Sequence, residues 1–312
     1  MSWQKLIFFL LLAACLTPFV SPPMALALGL AMALTIGNPF PESTKKYTKF
    51  LLQFSVVLLG FGMNLTSVIK AGKDGILFTM ATIFGTLMLG YLLGKLLKIN
   101  PKTSTLIAVG TAICGGSAIA AVAPSINADA EETSVSLGTI FILNSIGLFI
   151  FPVIGHALGM TENQFGVWSA IAIHDTSSVV GAATKFGGEA LAIATTVKLA
   201  RALWIAPIAL FFSYLYRDKN SDKKLKVAIP WFIFLFLAAT IVRTYAPSII
   251  IPSIFDSLVN LAKAGLTVTL FLIGASLSRE TLKKVGVKPL LQGVILWIVI
   301  SIVSLWAVWT IL

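Results

Sequence analysis

Two cations stand where lipid is expected. Lys198 and Arg201 lie near the middle of an apolar run, 190–216. Three residues apart, they share one face of a helix. A charge at the bilayer centre costs at least ~2.5–3.5 kcal/mol on insertion scales, so each needs a compensating group. The acid at comparable depth is Asp175, in Ile173-His-Asp-Thr-Ser-Ser-Val179 of the run 164–184. Pairing it with either cation leaves a surplus positive charge, and that is the chemistry of an anion site. The competing account is snorkelling of both long side chains with a structural Asp–Arg pair. Snorkelling is harder from a helix midpoint. Beside Asp175, His174 is a group able to carry a coupling proton. Asp175 with Thr176, Ser177 and backbone carbonyls could instead hold Na⁺, and the sequence leaves both open. Lys263, in the run 254–277, is the remaining cation at depth and a competitor for Asp175.

The elements that position these groups are marked by glycine. The run 103–122 contains Gly110-Thr-Ala-Ile-Cys-Gly-Gly-Ser-Ala118, poor in helix formers at its centre. Cys114, Gly115, Gly116 and Ser117 are read as the interruption, with Ser117 capping a helix that restarts after Gly116. Broken helices of this kind point to transporter binding sites, although small residues also serve close packing. The run 254–277 carries a similar pattern, Ala264-Gly265 and Leu272-Ile-Gly-Ala-Ser276, which places Gly274 and Ser276 beside the substrate.

Composition sets the class. The 312 residues are 57% hydrophobic and 11% charged, in long apolar runs without strand-like alternation. That is an all-α polytopic membrane protein, not an outer-membrane barrel. Eleven runs are expected to cross: 6–16, 23–36, 50–68, 75–97, 103–122, 135–154, 164–184, 190–216, 227–242, 254–277 and 289–312. The net charge of +11 reflects topology and not nucleic acid. Lysines and arginines gather at 45–49, 95–102, 217–226 and 279–288, on one side of the eleven-helix layout. Only Lys70, Lys73, Lys185 and Arg243 fall on the other. The positive-inside rule then puts the N-terminus in the cytoplasm and the C-terminus outside. The two cysteines, Cys15 and Cys114, sit in apolar runs and are not expected to pair. His156 and His174 are too far apart in sequence to form a metal site with Cys114, and no cofactor is expected.

With 1–22 set aside as an extra N-terminal helix, the rest divides into 23–157 and 158–312, five runs each. An odd number makes the halves run in opposite directions. The two glycine-interrupted runs are then both fourth in their half, the arrangement of an inverted repeat.

Several strings resemble the YeiH-type family of bacterial inner-membrane sulfate exporters. They are Leu59-Gly-Phe-Gly-Met-Asn-Leu65, Ile113-Cys-Gly-Gly-Ser-Ala-Ile119, His174-Asp-Thr-Ser-Ser-Val-Val-Gly181, Lys198-Leu-Ala-Arg201 and Gly37-Asn38. The resemblance implies the cation–proton antiporter and bile-acid symporter superfamily. It implies two inverted five-helix repeats with crossing discontinuous helices, a core moving elevator-like against a scaffold, and a homodimer. It also implies sulfate or a related sulfur oxyanion as substrate.

Three functions follow in order. The first is a secondary transporter for a small inorganic or sulfur-containing anion, coupled to H⁺ or Na⁺. The anion would be held by Cys114, Gly115, Gly116, Ser117, Lys198, Arg201, Gly274 and Ser276. Coupling would fall to His174, Asp175, Thr176, Ser177 and Lys263. The second is a cation–proton exchanger on Asp175. The third is an intramembrane enzyme on His174, Asp175 and Ser177, disfavoured because adjacent helical residues point ~100° apart.

Overall fold

The computed structural model describes residues 3–17, 19–63, 65–216, 231–246, 252–276 and 285–312. The basic stretch 217–226 and the cations at 279, 283 and 284 lie outside the described residues. Those residues form helices throughout, with no strand among them. In chain order they are α1 (Trp3–Ala14), α2 (Pro22–Thr35), α3 (Pro41–Leu59), α4 (Leu65–Leu96), α5 (Pro101–Ala112), α6 (Gly116–Val122) and α7 (Ala130–Ala157). Then come α8 (Glu162–Ala172), α9 (Thr176–Phe186), α10 (Gly188–Ala202), α11 (Ile205–Leu215), α12 (Trp231–Tyr245), α13 (Pro252–Ser276) and α14 (Val287–Ile311). Among the described residues five stretches are long and apolar enough to cross a bilayer: Phe78–Leu96, Glu131–Ala157, Gly188–Leu215, Ser253–Ser276 and Val287–Ile311. The chain is a multi-pass helical membrane protein.

Two of the eleven expected crossing runs do something else. Helix α5 has 12 residues, about 18 Å, well short of ~30 Å of hydrocarbon. Asn100 caps its start by accepting from the Lys102 N–H, with Pro101 in the first turn. After the interruption the chain turns back. Lys102 Nζ, at the start of α5, donates to the carbonyl of Asn127, beyond the end of α6, at 2.7 Å. A side chain at Gly110 would touch Ile119. The run 103–122 is therefore a helical hairpin with both ends on one side.

The run 164–184 repeats the solution. Helices α8 and α9 have 11 residues each. The ring of Phe165, near the start of α8, stacks on Phe186, the last residue of α9, with centroids 3.8 Å apart. The Glu162 carboxylate, first in α8, accepts from the backbone N–H groups of Glu189 (2.7 Å) and Ala190 (3.0 Å), at the start of α10. A straight broken helix would hold these ends about 30 Å apart. Helices α8 and α10 consequently run side by side in the same direction.

The run 254–277, expected to be interrupted at Gly265 or Gly274, is the continuous helix α13. Its glycines serve packing. A Cβ on Gly274 would collide with the backbone of Leu26 and Leu30 on α2, and one on Gly29 of α2 with the backbone of Phe271 and Ala275. Gly265 lies against Ser55 of α3. Small residues let α2, α3 and α13 approach backbone to backbone, the alternative the sequence left open. The two interruptions thus fall in the fourth and the first runs of the two halves, and their match in chain order does not hold.

Packing divides the helices into two groups. Helix α13 packs mainly on α2 and α3, with α12 on α3. The other group joins α4 to α5, α5 to α7, α8 to α10, and α14 to α8, α5 and α7. Helix α9 bridges them through α13 and α2.

Candidate functional site

The two hairpin tips meet. The first turns through Ile113, Cys114 and Gly115. Gly115 has φ +65° and ψ −127°, a backbone that side chains disfavour, and its Gly115 N–H closes the turn on the Gly110 carbonyl at 2.8 Å. A Cβ there would lie 3.2 Å from Cα of Asp175, so glycine also allows the second tip to come this close. The second tip turns through Ile173, His174 and Asp175. It contains no glycine. Asp175 is instead the N-cap of α9, accepting from the Ser177 N–H at 3.0 Å and from the Ser177 hydroxyl. Two consecutive backbone N–H groups, of His174 and Asp175, donate to Asn144 Oδ1 of α7, each at 3.1 Å.

Both cations are fully buried and both reach hairpin tips. Lys198 Nζ donates to the carbonyls of Ala170 (3.2 Å) and Ile173 (2.8 Å), the C-terminal end of α8. Arg201 donates through Nη2 to the carbonyl of Ala112, the last residue of α5, and through Nη1 to Thr82 Oγ1 of α4 at 2.8 Å. Neither snorkels, and neither is hydrogen-bonded to a carboxylate among the described residues. A helix ending inside the protein leaves up to four carbonyls unsatisfied and about half a negative charge. One face of α10 meets that need at both tips. Asp175 performs the opposite service, placing a negative group at the positive end of α9.

Roughly half a charge per helix end gives a simple electrostatic account. The two N-terminal ends at the tips, together about +1, are balanced by Asp175. The two C-terminal ends, together about −1, face Lys198 and Arg201, which carry two positive charges when both are protonated. A surplus of about one positive charge then remains, located on Lys198 and Arg201.

Ten of the thirteen residues singled out in the sequence therefore converge: Cys114, Gly115, Gly116, Ser117, His174, Asp175, Thr176, Ser177, Lys198 and Arg201. Their roles differ from the expected ones in places. Ser117 caps nothing. Gly115 is the N-cap of α6 without a side-chain bond, and Ser117 is exposed. The interruption at Asp175, in a run expected to cross unbroken, was not expected, and the Asp175 carboxylate occupies the N-terminal end of α9. Gly274, Ser276 and Lys263 lie apart, on α13. The Ser276 hydroxyl donates to the Leu272 carbonyl at 2.8 Å, and both Ser276 and Lys263 are exposed. Cys15 and Cys114 are buried free thiols. Among the described residues no group of three or more His, Cys, Asp or Glu side chains is placed to hold a metal ion.

Sequence reasoning missed Asn144 and Thr82. Both are neutral, so a search for ionisable groups at depth passes over them. Asn144, 3% exposed, was findable as the amide inside the run 135–154.

Residues 7–293 match the family described as conserved hypothetical protein 698. The chain is 56% identical over 288 residues to a UPF0324 membrane protein of Bacteroides thetaiotaomicron, covering 92% of this chain and 86% of that one. It is 52% identical over 290 residues to a UPF0324 membrane protein of Porphyromonas gingivalis, covering 93% and 87%. With a UPF0324 membrane protein of Bdellovibrio bacteriovorus, identity is 51% over 306 residues, covering 97% and 94%. No solved structure matches the chain. The match over residues 7–293 and these relatives place the chain in the conserved hypothetical protein 698 family of membrane proteins.

Proposed function

We propose that this protein is a secondary active transporter for a small anion, coupled to H⁺ or Na⁺. Sulfate or a related sulfur oxyanion is the substrate class the sequence resemblance implies. The observation that carries the reading is the contact between the two tips, Gly115 against Asp175, beside cations whose charge exceeds what the helix ends need. Half-helix ends meeting inside a membrane protein form substrate sites with little reorganisation. Lys198 and Arg201 supply the positive surplus, and Asp175 with His174, Thr176 and Ser177 supplies the coupling-ion site.

The architecture we propose has nine crossing passes and two hairpins that enter from opposite sides. Helices α2, α3, α4, α5–α6 and α7 form one unit, and α12, α13, α14, α8–α9 and α10 form its inverted partner. Helix α4 packs on α5 as α14 packs on α8, and α5 on α7 as α8 on α10. The second unit is rotated in chain order, which explains why the hairpins are fourth in one half and first in the other. Helices α4 to α11 with α14 would be the moving core, and α2, α3, α12 and α13 the scaffold of a homodimer. This layout leaves the N-terminus cytoplasmic and the C-terminus outside a bacterial inner membrane, because the lysine-rich ends stay together.

The test is uptake of radiolabelled sulfate, sulfite or thiosulfate by proteoliposomes under imposed pH and Na⁺ gradients. Gradient-driven accumulation of at least one is expected. No uptake under any gradient would remove this substrate class. One observation favours a second reading, cation–proton exchange: Asp175 is the buried carboxylate among the described residues. Arg201→Ala does not separate the readings cleanly, since Arg201 also caps α5. Proton flux driven by Na⁺ or K⁺ without any anion would establish the exchanger.

A further inference from the structure

Eight buried side-chain polar atoms among the described residues have no partner in the protein. Five belong to the tips or to the side chains that hold them: Thr111 Oγ1, Asn144 Nδ2, both ring nitrogens of His174, and Arg201 Nε. Unpaired buried polar groups cost free energy and are rare, so a concentration at one place calls for a use.

Asn144 is the informative member. Its Oδ1 is occupied by two backbone N–H donors, at 3.1 Å each, from His174 and Asp175. Only an oxygen can accept both, so the orientation of the amide is fixed. The same bonds hold the –NH2 group against the second tip, nine-tenths buried and more, with two hydrogens to give and nothing in the protein to take them. Arg201 Nε–H is a second unused donor, on the side chain that holds the first tip. Asn144 Nδ2 and Arg201 Nε cannot accept. Fixed N–H donors beside these cations fit the oxygens of an anion, while the Thr111 hydroxyl and one ring nitrogen of a neutral His174 can accept as well. These atoms are buried between the elements that form the tips.

We propose that Asn144 contacts the substrate: its carbonyl fixes the second tip, and its amide N–H groups donate to the oxygens of a tetrahedral oxyanion. This rests on the transporter reading above and adds a residue that donates to the substrate's oxygens.

The experiment measures thermal stabilisation of the purified full-length protein by sulfate, selenate and thiosulfate, in wild type and Asn144→Asp. A carboxylate at 144 still accepts both tip N–H groups but has none to give. The added buried charge lowers the melting temperature without anion, so each protein is compared with its own anion-free value; binding is expected to weaken at least about tenfold. Equal stabilisation of both proteins overturns the role of Asn144 and leaves the transporter reading standing. Stabilisation of neither wild type nor variant by any of the three overturns the role of Asn144 and removes this substrate class from the transporter reading. If Asn144→Asp does not fold, crystals of wild type with selenate decide. An anomalous selenium peak whose oxygens lie within about 3.2 Å of Asn144 Nδ2 supports the proposal, and a peak elsewhere or none overturns it.

Discussion

The two hairpins solve one problem with different materials. Each must end a helix, turn, and start another inside a membrane protein. The α5–α6 hairpin does it with backbone: Gly115 takes a positive φ, and the turn closes on the Gly110 carbonyl. The α8–α9 hairpin does it with side chains: Asp175 caps α9, and Asn144 collects the buried N–H groups of the turn. Both take a cation from the same face of α10 at the C-terminal end. A tip made of backbone offers little chemistry, while one made of Asp, His and Ser offers a titratable, ion-binding surface. Position and close approach therefore belong to the first hairpin, and coupling to the second.

Removing the shared support should have the largest effect. Arg201→Ala strands the Ala112 carbonyl and leaves the Thr82 hydroxyl only its bond to the Thr79 carbonyl, and Lys198→Met strands the carbonyls of Ala170 and Ile173 at the end of α8. Each is expected to destabilise by about 2–4 kcal/mol and abolish transport, read as thermal melting in detergent and uptake in vesicles. A variant that keeps the wild-type melting temperature would break the idea that α10 holds both hairpins.

Next, Gly115→Ala should cost about 1–3 kcal/mol through its backbone alone and push the tips apart at Asp175. Gly116→Ala, which would meet only Phe141 and Leu137 side chains at 3.3–3.4 Å, should cost much less. Equal costs would contradict the assignment of the close approach to Gly115.

Asp175→Asn sharpens the contrast. Asparagine still caps a helix, so stability should change by under about 1 kcal/mol, while transport should lose its dependence on the H⁺ or Na⁺ gradient. Unchanged gradient dependence would move coupling elsewhere. The smallest effects are expected at Lys263→Ala and Ser276→Ala, within about 0.5 kcal/mol and with normal transport, because both side chains are exposed on α13.

These expectations separate what the sequence made legible from what it hid. The charge spacing of Lys198 and Arg201, and the glycines at 115 and 116, pointed to the right place. Burial of both cations follows from their position in an apolar run. Hydropathy could not distinguish a hairpin from a crossing helix: two 11-residue arms in series have the length and composition of one span, and it takes the tertiary contacts of Phe165 with Phe186 and of Glu162 with the start of α10 to tell them apart. The second tip was hidden because no glycine marks it. Asp175 followed by Thr176 and Ser177 is an N-cap pattern that would have revealed it. Gly265 and Gly274 misled because glycine marks close packing as readily as interruption. Asn144 escaped because it carries no charge.

The account stands most directly on the hairpins, since tips that meet require chains that turn back. Single cysteines at Lys98, Glu131 and Glu189, all exposed, report the sides of the bilayer. An impermeant thiol reagent added outside intact cells should label Glu189→Cys and spare both Lys98→Cys and Glu131→Cys. Labelling of Glu131→Cys from outside, with Lys98→Cys protected, would make 103–122 a crossing helix and contradict the account.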